Sequence, residues 1–473
     1  MTVSQKKILS KTQSICPVCR RPVDAFYVEH DGMVFFEKNC TEHGMSTTIV
    51  SGSADDYKEW IKNPVINIPP KKPLTNGDPE DASCPLHCGT CGNHLQTACC
   101  VLIDITDRCN QHCPYCFAGS GKCADSSREP SLEEIESKYD LLLRLGEERP
   151  FNIQLSGGEP TVRDDLPEII RMAKDKGFEY VQINSNGRRI AEEEDYAQKL
   201  RDAGASVIFM QFDGTDDEIY MKLRNEPLFD IKKRAVRNCE KAGLPVTLVP
   251  TVVNGVNSDN IGAMMDFLLE NINVVKGIHF QPVSFFGRHP QHQTDGNFPG
   301  RMTMFDLLRE LEKQKPEFRY EDFCPISTGH TLCCFYSTYI REPDGSARCT
   351  LTKAQKEGGI SCCGTSTADK GEVIRRDRDF VLNKWEIAPA SETAAAAEQK
   401  HYRSSLEITA FDEFLQYYRR NSFTVTGMAF QDITNLDAER VKRCRVQVLS
   451  EDNRLIPFCA YNSIYREKTG GMG

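Results

Sequence analysis

The 473-residue chain carries 68 acidic and 58 basic side chains, a formal charge of −10, and 39% hydrophobic residues, with a mean hydropathy of −0.47. This balance argues against a generic nucleic-acid binder, and no apolar run reaches the roughly 18 residues of a spanning helix. The 21 cysteines fall in groups with two- and three-residue gaps, which in a reducing compartment mark metal ligands rather than disulfides.

The N-terminus, MTVSQKKILSKTQS, has lysines but no apolar stretch of a secretory signal, so a cytoplasmic location is expected. Residues 12–62 read as the first unit. Cys16 and Cys19 in CPVC, and Cys40 and His43 in CTEH, flank AFYVEHDGMVFFEK, whose alternation around His30-Asp31-Gly32 signals a hairpin. Two such corners on a hairpin predict a zinc-ribbon or rubredoxin-like knuckle around one mononuclear zinc or iron. Residues 63–83, dense in Pro, Asn, Gly and Asp, read as a linker. Residues 84–100 carry Cys84, Cys88 and Cys91 in CPLHCGTC, then His94, Cys99 and Cys100. Their spacing predicts the approach to an auxiliary iron–sulfur cluster, with a zinc knuckle through His94 as the rival.

Residues 101–315 alternate between apolar runs and amphipathic stretches. CVLIDI, FNIQLS, YVQINS, SVIFMQF, PVTLVPTVV and GIHFQPV read as six buried parallel strands. SLEEIESKYDLLLRLG, DDLPEIIRMAKDKG, EEEDYAQKLRDAG, IKKRAVRNCEKAG and NIGAMMDFLLENI read as the helices between them. The class is therefore α/β, a parallel barrel or partial barrel, with its chemistry at the C-terminal strand ends. Directly after the first strand, ITDRCNQHCPYCFAGSG places Cys109, Cys113 and Cys116 in a C-x3-C-x2-C run. Three thiolates hold three irons of a 4Fe–4S cube and leave the fourth open to an exogenous ligand. At the end of the second strand, SGGEP offers Gly157 and Gly158 for close backbone approach and Glu159 to accept from an ammonium group. Asp213 in QFDG ends the fourth strand, either touching substrate or closing a turn.

Beyond residue 320 the alternation stops, and 320–473 reads as a cysteine-rich α+β domain. Cys324, one of Cys333/Cys334, Cys349 and one of Cys362/Cys363 are expected to cage a further cluster, with Cys324, Cys333, Cys349 and Cys362 as the leading set. Cys444 and Cys459 flank an EDNR turn and, paired across strands, would complete the cluster begun at Cys84–Cys91. Phe285, Phe286, Phe335, Tyr336 and Tyr339 suit the wall of an apolar cavity, although core packing explains them equally. Lys232–Arg234 and Arg375–Arg378 read as solvated basic faces, with contact to anionic headgroups as the alternative. Glu386–His401 reads as a helix or linker.

The cysteine loop, SGGEP and six strands in order resemble the radical S-adenosylmethionine (SAM) superfamily. The resemblance implies a partial (β/α)6 barrel in which Cys109, Cys113 and Cys116 hold the cluster. SAM binds the open iron and yields a 5′-deoxyadenosyl radical that abstracts hydrogen from an unactivated C–H. It further implies Tyr115 near the adenine, Gly157, Gly158 and Glu159 at the methionine ammonium, Asn184 and Asn186 in INSNG at the ribose, and Thr251–Asn257 at the adenine through backbone groups. A low-potential donor of flavodoxin or ferredoxin type would supply the electron. With CPVC…CTEHG, CPLHCGTC and PFCAYN added, the chain resembles the tetraether lipid synthase and class D pterin methylase family. That likeness implies one or two auxiliary 4Fe–4S clusters beside the mononuclear metal. Carbon–carbon coupling on lipid chains, with peripheral membrane contact, is the leading expectation. The alternative is C-methylation of a pterin or similar small molecule, and the third reading is a non-catalytic iron–sulfur electron carrier. A lipid demands a long apolar tunnel at the barrel mouth; a pterin demands a short polar pocket.

Overall fold

The computed structural model describes residues 6–70, 84–89, 91–121, 129–146, 151–290, 300–353 and 417–466. Cys362, Cys363, Arg375–Arg378 and Glu386–His401 lie outside the described residues.

Strands β1 (Lys7–Ile15), β2 (Pro22–His30), β3 (Met33–Cys40) and β4 (Gly44–Ser51) form an antiparallel sheet in chain order. The expected hairpin is its β2–β3 corner. Asp31 (φ 50°) and Gly32 (φ 73°) both adopt the left-handed conformation there, which matches the twist of the flanking strands. The sheet is larger than one hairpin because the segments flanking the knuckle also pair.

The central sheet begins with β5 (Cys100–Thr106), β6 (Asn152–Gly157), β7 (Val181–Ser185), β8 (Val207–Gln211), β9 (Val246–Val249), the short β10 (Thr251–Val252) and β11 (Val275–Pro282). β5, β6, β7, β8, β9 and β11 are parallel neighbours in that order, and β10 pairs with β11. The intervening helices follow the expected stretches. Leu132–Leu145 starts at a capping box of Ser131 and Glu134, and Phe229–Ala242 ends at left-handed Gly243, as helix termini favour. Alternate strand residues such as Ile103, Leu155, Ile183, Met210, Leu248 and Ile278 are packed into the core. The residues between them face the other, concave side, because side chains alternate along a strand.

The segment after residue 320 supplies β12 (Cys334–Arg341), β13 (Ala347–Cys349), β14 (Ser422–Met428), β15 (Val446–Leu449) and β16 (Leu455–Pro457). These strands extend both edges of the central sheet. β14 lies parallel to β11, with β12 antiparallel to β14 and β13 to β12. At the other edge β15 lies parallel to β5 and β16 folds back on it. An open parallel sheet leaves unpaired N–H and C=O groups at each edge, and the C-terminal strands satisfy them. The N-terminal sheet docks on the same segment. Thr12 Oγ1 and Tyr27 Oη donate to the Asp437 carboxylate at 2.6 and 2.7 Å, and buried Lys38 donates to the Ile433 carbonyl at 2.8 Å. No helix among the described residues is long and apolar enough to cross a membrane.

Candidate active site

Cys109, Cys113 and Cys116 lie on the loop leaving β5, each partly buried and within electrostatic reach of the others. Burial pushes the Cys109 thiol up to about 12 and raises that of Cys113. The loop is held by a residue that sequence reasoning missed. Arg288, beyond β11, pairs backbone to backbone with Cys116 and donates its guanidinium to the Cys113 and Ser120 carbonyls, both at 2.7 Å. Gly287 beside it is required, since a Cβ there would meet the Cys116 and Phe117 carbonyl oxygens at 2.6 Å. The Gln111 Nε2 atom is buried with no partner among the described residues. Three clustered thiols beside an unmatched donor fit a sulfide-bearing cluster.

Gly157 and Gly158 act first on the protein itself. Gly158 N donates to the Thr106 carbonyl at 2.7 Å and Glu159 N to the Arg108 carbonyl at 2.9 Å, tying the end of β6 to the cysteine loop. The buried Glu159 carboxylate accepts four hydrogen bonds, from Thr161 N and Oγ1, Ser185 Oγ and Asn186 N. Three of these bonds fall on Oε1 and one on Oε2, so Glu159 braces the turn after β7 while Oε2 keeps one lone pair. Asn186 passes the brace on, its Nδ2 donating to Asn110 Oδ1 at 2.7 Å.

Asp213 is fully buried and forms a two-pronged ion pair with Arg224, at 2.6 and 2.8 Å. Arg224 also donates to the Tyr115 carbonyl at 2.7 Å and to Thr251 Oγ1 at 3.1 Å. Asp213 is therefore taken by Arg224 and by the Thr251 N–H, and no local sequence signal links residues so placed. The backbone carbonyl of Thr251 accepts from Asn257 Nδ2, so both of its backbone groups are committed. The Tyr115 ring packs against Ile219, Leu223, Val253, Val283 and Phe285, with Val256 at the margin, an apolar wall suited to an adenine face. Lys232, expected on a solvated face, is fully buried; its ammonium donates to the Asn186 carbonyl and to Gln211 Oε1 at 2.5 and 2.9 Å. Burial pulls its pKa down to about 8. It lies on the buried side of its helix, where a short basic run gave no sign of it.

The concave face below the loop is polar. Its half-buried positions include Gln154, Asn184, Gln211, His279, Gln281 and Thr426. Asn184 Nδ2 donates to Gln154 Oε1 at 3.3 Å, and Asn184 Oδ1 accepts from Gln182 at 2.8 Å. Thr426 donates to the Ile278 carbonyl and so accepts from His279 Nδ1, 2.8 Å away. The expected aromatic wall is split: Phe285 packs with Tyr115 beside the cysteine loop, and the others lie apart from it or reach it only through Phe458. Phe335 and Tyr339 are in the helix-side core, Tyr339 stacked on Phe423. Phe286 packs with Leu102, Val448 and Phe458, and Tyr336 with Cys324.

In the N-terminal sheet, Cys16, Cys19, Cys40 and His43 present ligand atoms that all lie within 4.8 Å of one another. The Cys19–Cys40 sulfur separation is 3.8 Å, and His43 Nδ1 lies 3.7 and 3.5 Å from Cys16 and Cys40. A tetrahedral zinc with bonds of about 2.3 Å to sulfur and 2.0 Å to nitrogen requires edges of about 3.8 and 3.5 Å. Backbone N–H groups of Glu42 and His43, with the His43 ring, hold the Cys40 thiol down to about 6.

The radical SAM superfamily model matches residues 103–268, and that of the HMPTM N-terminal zinc ribbon domain matches residues 8–52. The 7,8-dihydro-6-hydroxymethylpterin dimethyltransferase of Methanocaldococcus jannaschii is 34% identical over 97% of this chain and 94% of that protein. The chain belongs to the radical SAM superfamily, in the family of that dimethyltransferase. A probable GTP 3′,8-cyclase of Methanothermobacter marburgensis is 33% identical over 37% of this chain and 55% of its own. Among solved structures, Streptococcus suis SuiB bound to the precursor peptide SuiA is 16% identical with a TM-score of 0.38, covering 47% of this chain and 46% of that one.

This radical SAM enzyme carries further cysteines outside the radical loop. The β15–β16 hairpin brings Cys444 and Cys459 near each other, with Cys333 close to both. Cys459 shares an apolar cluster with Cys88, and Cys84 packs against it; Cys84, Cys88 and Cys91 line one cavity with His94 and Lys442. Cys333 and Cys334 diverge. Cys333 accepts from Arg440 Nε at 3.5 Å, whereas Cys334 is buried with Cys99 and Cys324 among its electrostatic neighbours. Adjacent residues at a strand start point to opposite faces, so Cys334 rather than Cys333 accompanies Cys324. Cys349 lies beside Ser337 Oγ at 3.6 Å, and Cys100 faces Gln154. His94 is buried, its Nε2 2.9 Å from the Cys444 carbonyl.

Proposed function

We propose that this radical SAM enzyme methylates carbon on a pterin or a similar small heterocycle. The observation that carries the reading is the polar lining of the concave face by Gln154, Asn184, Gln211, His279, Gln281 and Thr426. Amide groups with donor and acceptor capacity left over, such as Asn184, suit a polar heterocycle better than a hydrocarbon chain, which offers them nothing to bond. The extensive match to the pterin dimethyltransferase supports the same substrate class. Lipid coupling, the leading expectation from sequence, is supported neither by this lining nor by the placement of Phe335 and Tyr339 in the core.

In this reading Cys109, Cys113 and Cys116 hold a 4Fe–4S cluster, and Tyr115 with Val253 and Val256 covers the adenine of SAM. When bound, cluster and cofactor supply a 5′-deoxyadenosyl radical. Gly157 and Gly158 bring the strand end against the loop, Asn186 sits at the ribose, and Lys232 braces the turn that carries Asn186. Cys16, Cys19, Cys40 and His43 hold zinc. Cys84, Cys88 and Cys91, with Cys444 or Cys459, hold an auxiliary cluster, and Cys324 with Cys334 begins a second. A flavodoxin- or ferredoxin-type donor supplies the electron.

The test is incubation of the reconstituted enzyme with 7,8-dihydro-6-hydroxymethylpterin, SAM, a one-carbon donor of folate type and a low-potential reductant. Methylated pterin should form together with 5′-deoxyadenosine. Transfer of label from a lipid terminal methyl into 5′-deoxyadenosine, with the pterin unchanged, would replace this reading by lipid coupling.

A further inference from the structure

We propose that the floor of the barrel, formed by Asn184, Phe209, Thr247 and His279, is the subsite that reads the flat ring of the substrate. This rests on the reading of the substrate as a pterin-like heterocycle. Four observations converge on it.

Thr247 stands on β9, between its neighbours Phe209 on β8 and Gly277 on β11 in the parallel register. Its flanking residues Val246 and Leu248 are packed in the helix-side core, so the Thr247 side chain is directed to the concave side. It is only 3% exposed, and its hydroxyl has no hydrogen-bond partner among the described residues. A buried hydroxyl left so loses on the order of 1–3 kcal/mol, which a ligand would recover. Gly277 beside it has no side chain to fill the space.

The next strand in the same layer supplies an amide, since Asn184 pairs in register with Phe209. The Asn184 Nδ2 group uses one proton on Gln154 and its Oδ1 one lone pair on Gln182. An amide nitrogen carries two protons and its oxygen two lone pairs, so one donor and one acceptor remain for a ligand. A pterin edge, with its ring N–H and amino donors beside a carbonyl, matches such a pair.

The ring faces complete the floor. Phe209 is half-buried on the concave side, and the His279 ring lies 5.9 Å from it at 45°. His279 is fixed by Thr426, so its orientation is set before a ligand arrives. A planar heterocycle gains on such aromatic surfaces; an alkyl chain has no use for the adjoining amide and hydroxyl.

Depth suits the chemistry. Asn184 lies two residues before Asn186, which is tied to the cysteine loop through Asn110. Two residues of strand span about 7 Å, so a ring on this floor lies one layer beneath the cysteine loop.

The experiment measures equilibrium binding of 7,8-dihydro-6-hydroxymethylpterin, and separately of SAM, to the reconstituted full-length enzyme. Thr247→Val, Thr247→Ser and Asn184→Ala are compared with wild type, and urea midpoints verify folding. Thr247→Val and Asn184→Ala should weaken pterin binding by about tenfold, the loss of one buried hydrogen bond. Thr247→Ser should restore it, and SAM affinity should change less than twofold for the Thr247 variants. Wild-type pterin affinity in both folded variants would overturn the subsite while leaving the methylase reading intact. A wild-type enzyme that neither binds nor methylates the pterin would overturn both.

Discussion

A Cβ on Gly158 would sit 2.2 Å from the carbonyl oxygen of Arg108. The two backbones meet with no room for a methyl group, and Glu159 N bonds to that same carbonyl. Gly158→Ala must therefore push the cysteine loop away from β6. The expected loss is about 3 kcal/mol, the upper end for overpacking, read as a lowered urea midpoint. Iron retained at the radical site should fall while zinc in the N-terminal sheet is unchanged, with metal analysis reporting both.

Glu159→Gln should act through structure. An amide places N–H groups against at least one of the four donors now bound to the carboxylate. A loss of about 1–3 kcal/mol is expected, with faster hydrogen exchange at the Asn186 and Thr161 amides. Unchanged exchange at both would show that the brace is dispensable.

Arg224→Met strands a buried carboxylate at Asp213. Breaking such a pair costs about 3–5 kcal/mol, and replacing both partners costs less. The double variant Asp213→Asn, Arg224→Met should therefore be more stable than Arg224→Met alone in urea titrations.

Lys276 is buried with its ammonium on the Ile272 and Arg420 carbonyls at 2.9 and 2.8 Å. Burial pulls its pKa down from 10.5 to about 8. Between these values the unfolded chain holds a proton that the folded chain has released, so stability rises with pH across the window. Wild type should gain on Lys276→Met between pH 8 and pH 10 in parallel urea titrations; parallel curves would contradict the assignment.

Iron content tests the auxiliary sites. Anaerobic reconstitution should exceed four irons per chain, and the triple Cys109→Ala, Cys113→Ala, Cys116→Ala variant should lose about four, one cube. A wild-type plateau at about four would leave the remaining cysteines to packing and zinc.

The strand order of the barrel, the cysteine loop after β5, the SGGEP turn after β6 and the zinc-ribbon ligand spacing are all legible in the chain. Each of these is local: apolar periodicity, turn residues and short-range cysteine gaps are written within a few residues of one another. The remaining relationships are long-range. Asp213 meets Arg224, Arg288 meets Cys113, and the strands after residue 320 close both edges of the core sheet, all across separations that no local pattern encodes. The tertiary structure also decided which way side chains face. Phe335 and Tyr339 went into the core and Asn184 and His279 toward the concave face, because a strand turns successive residues to opposite sides and only packing fixes which side is inside.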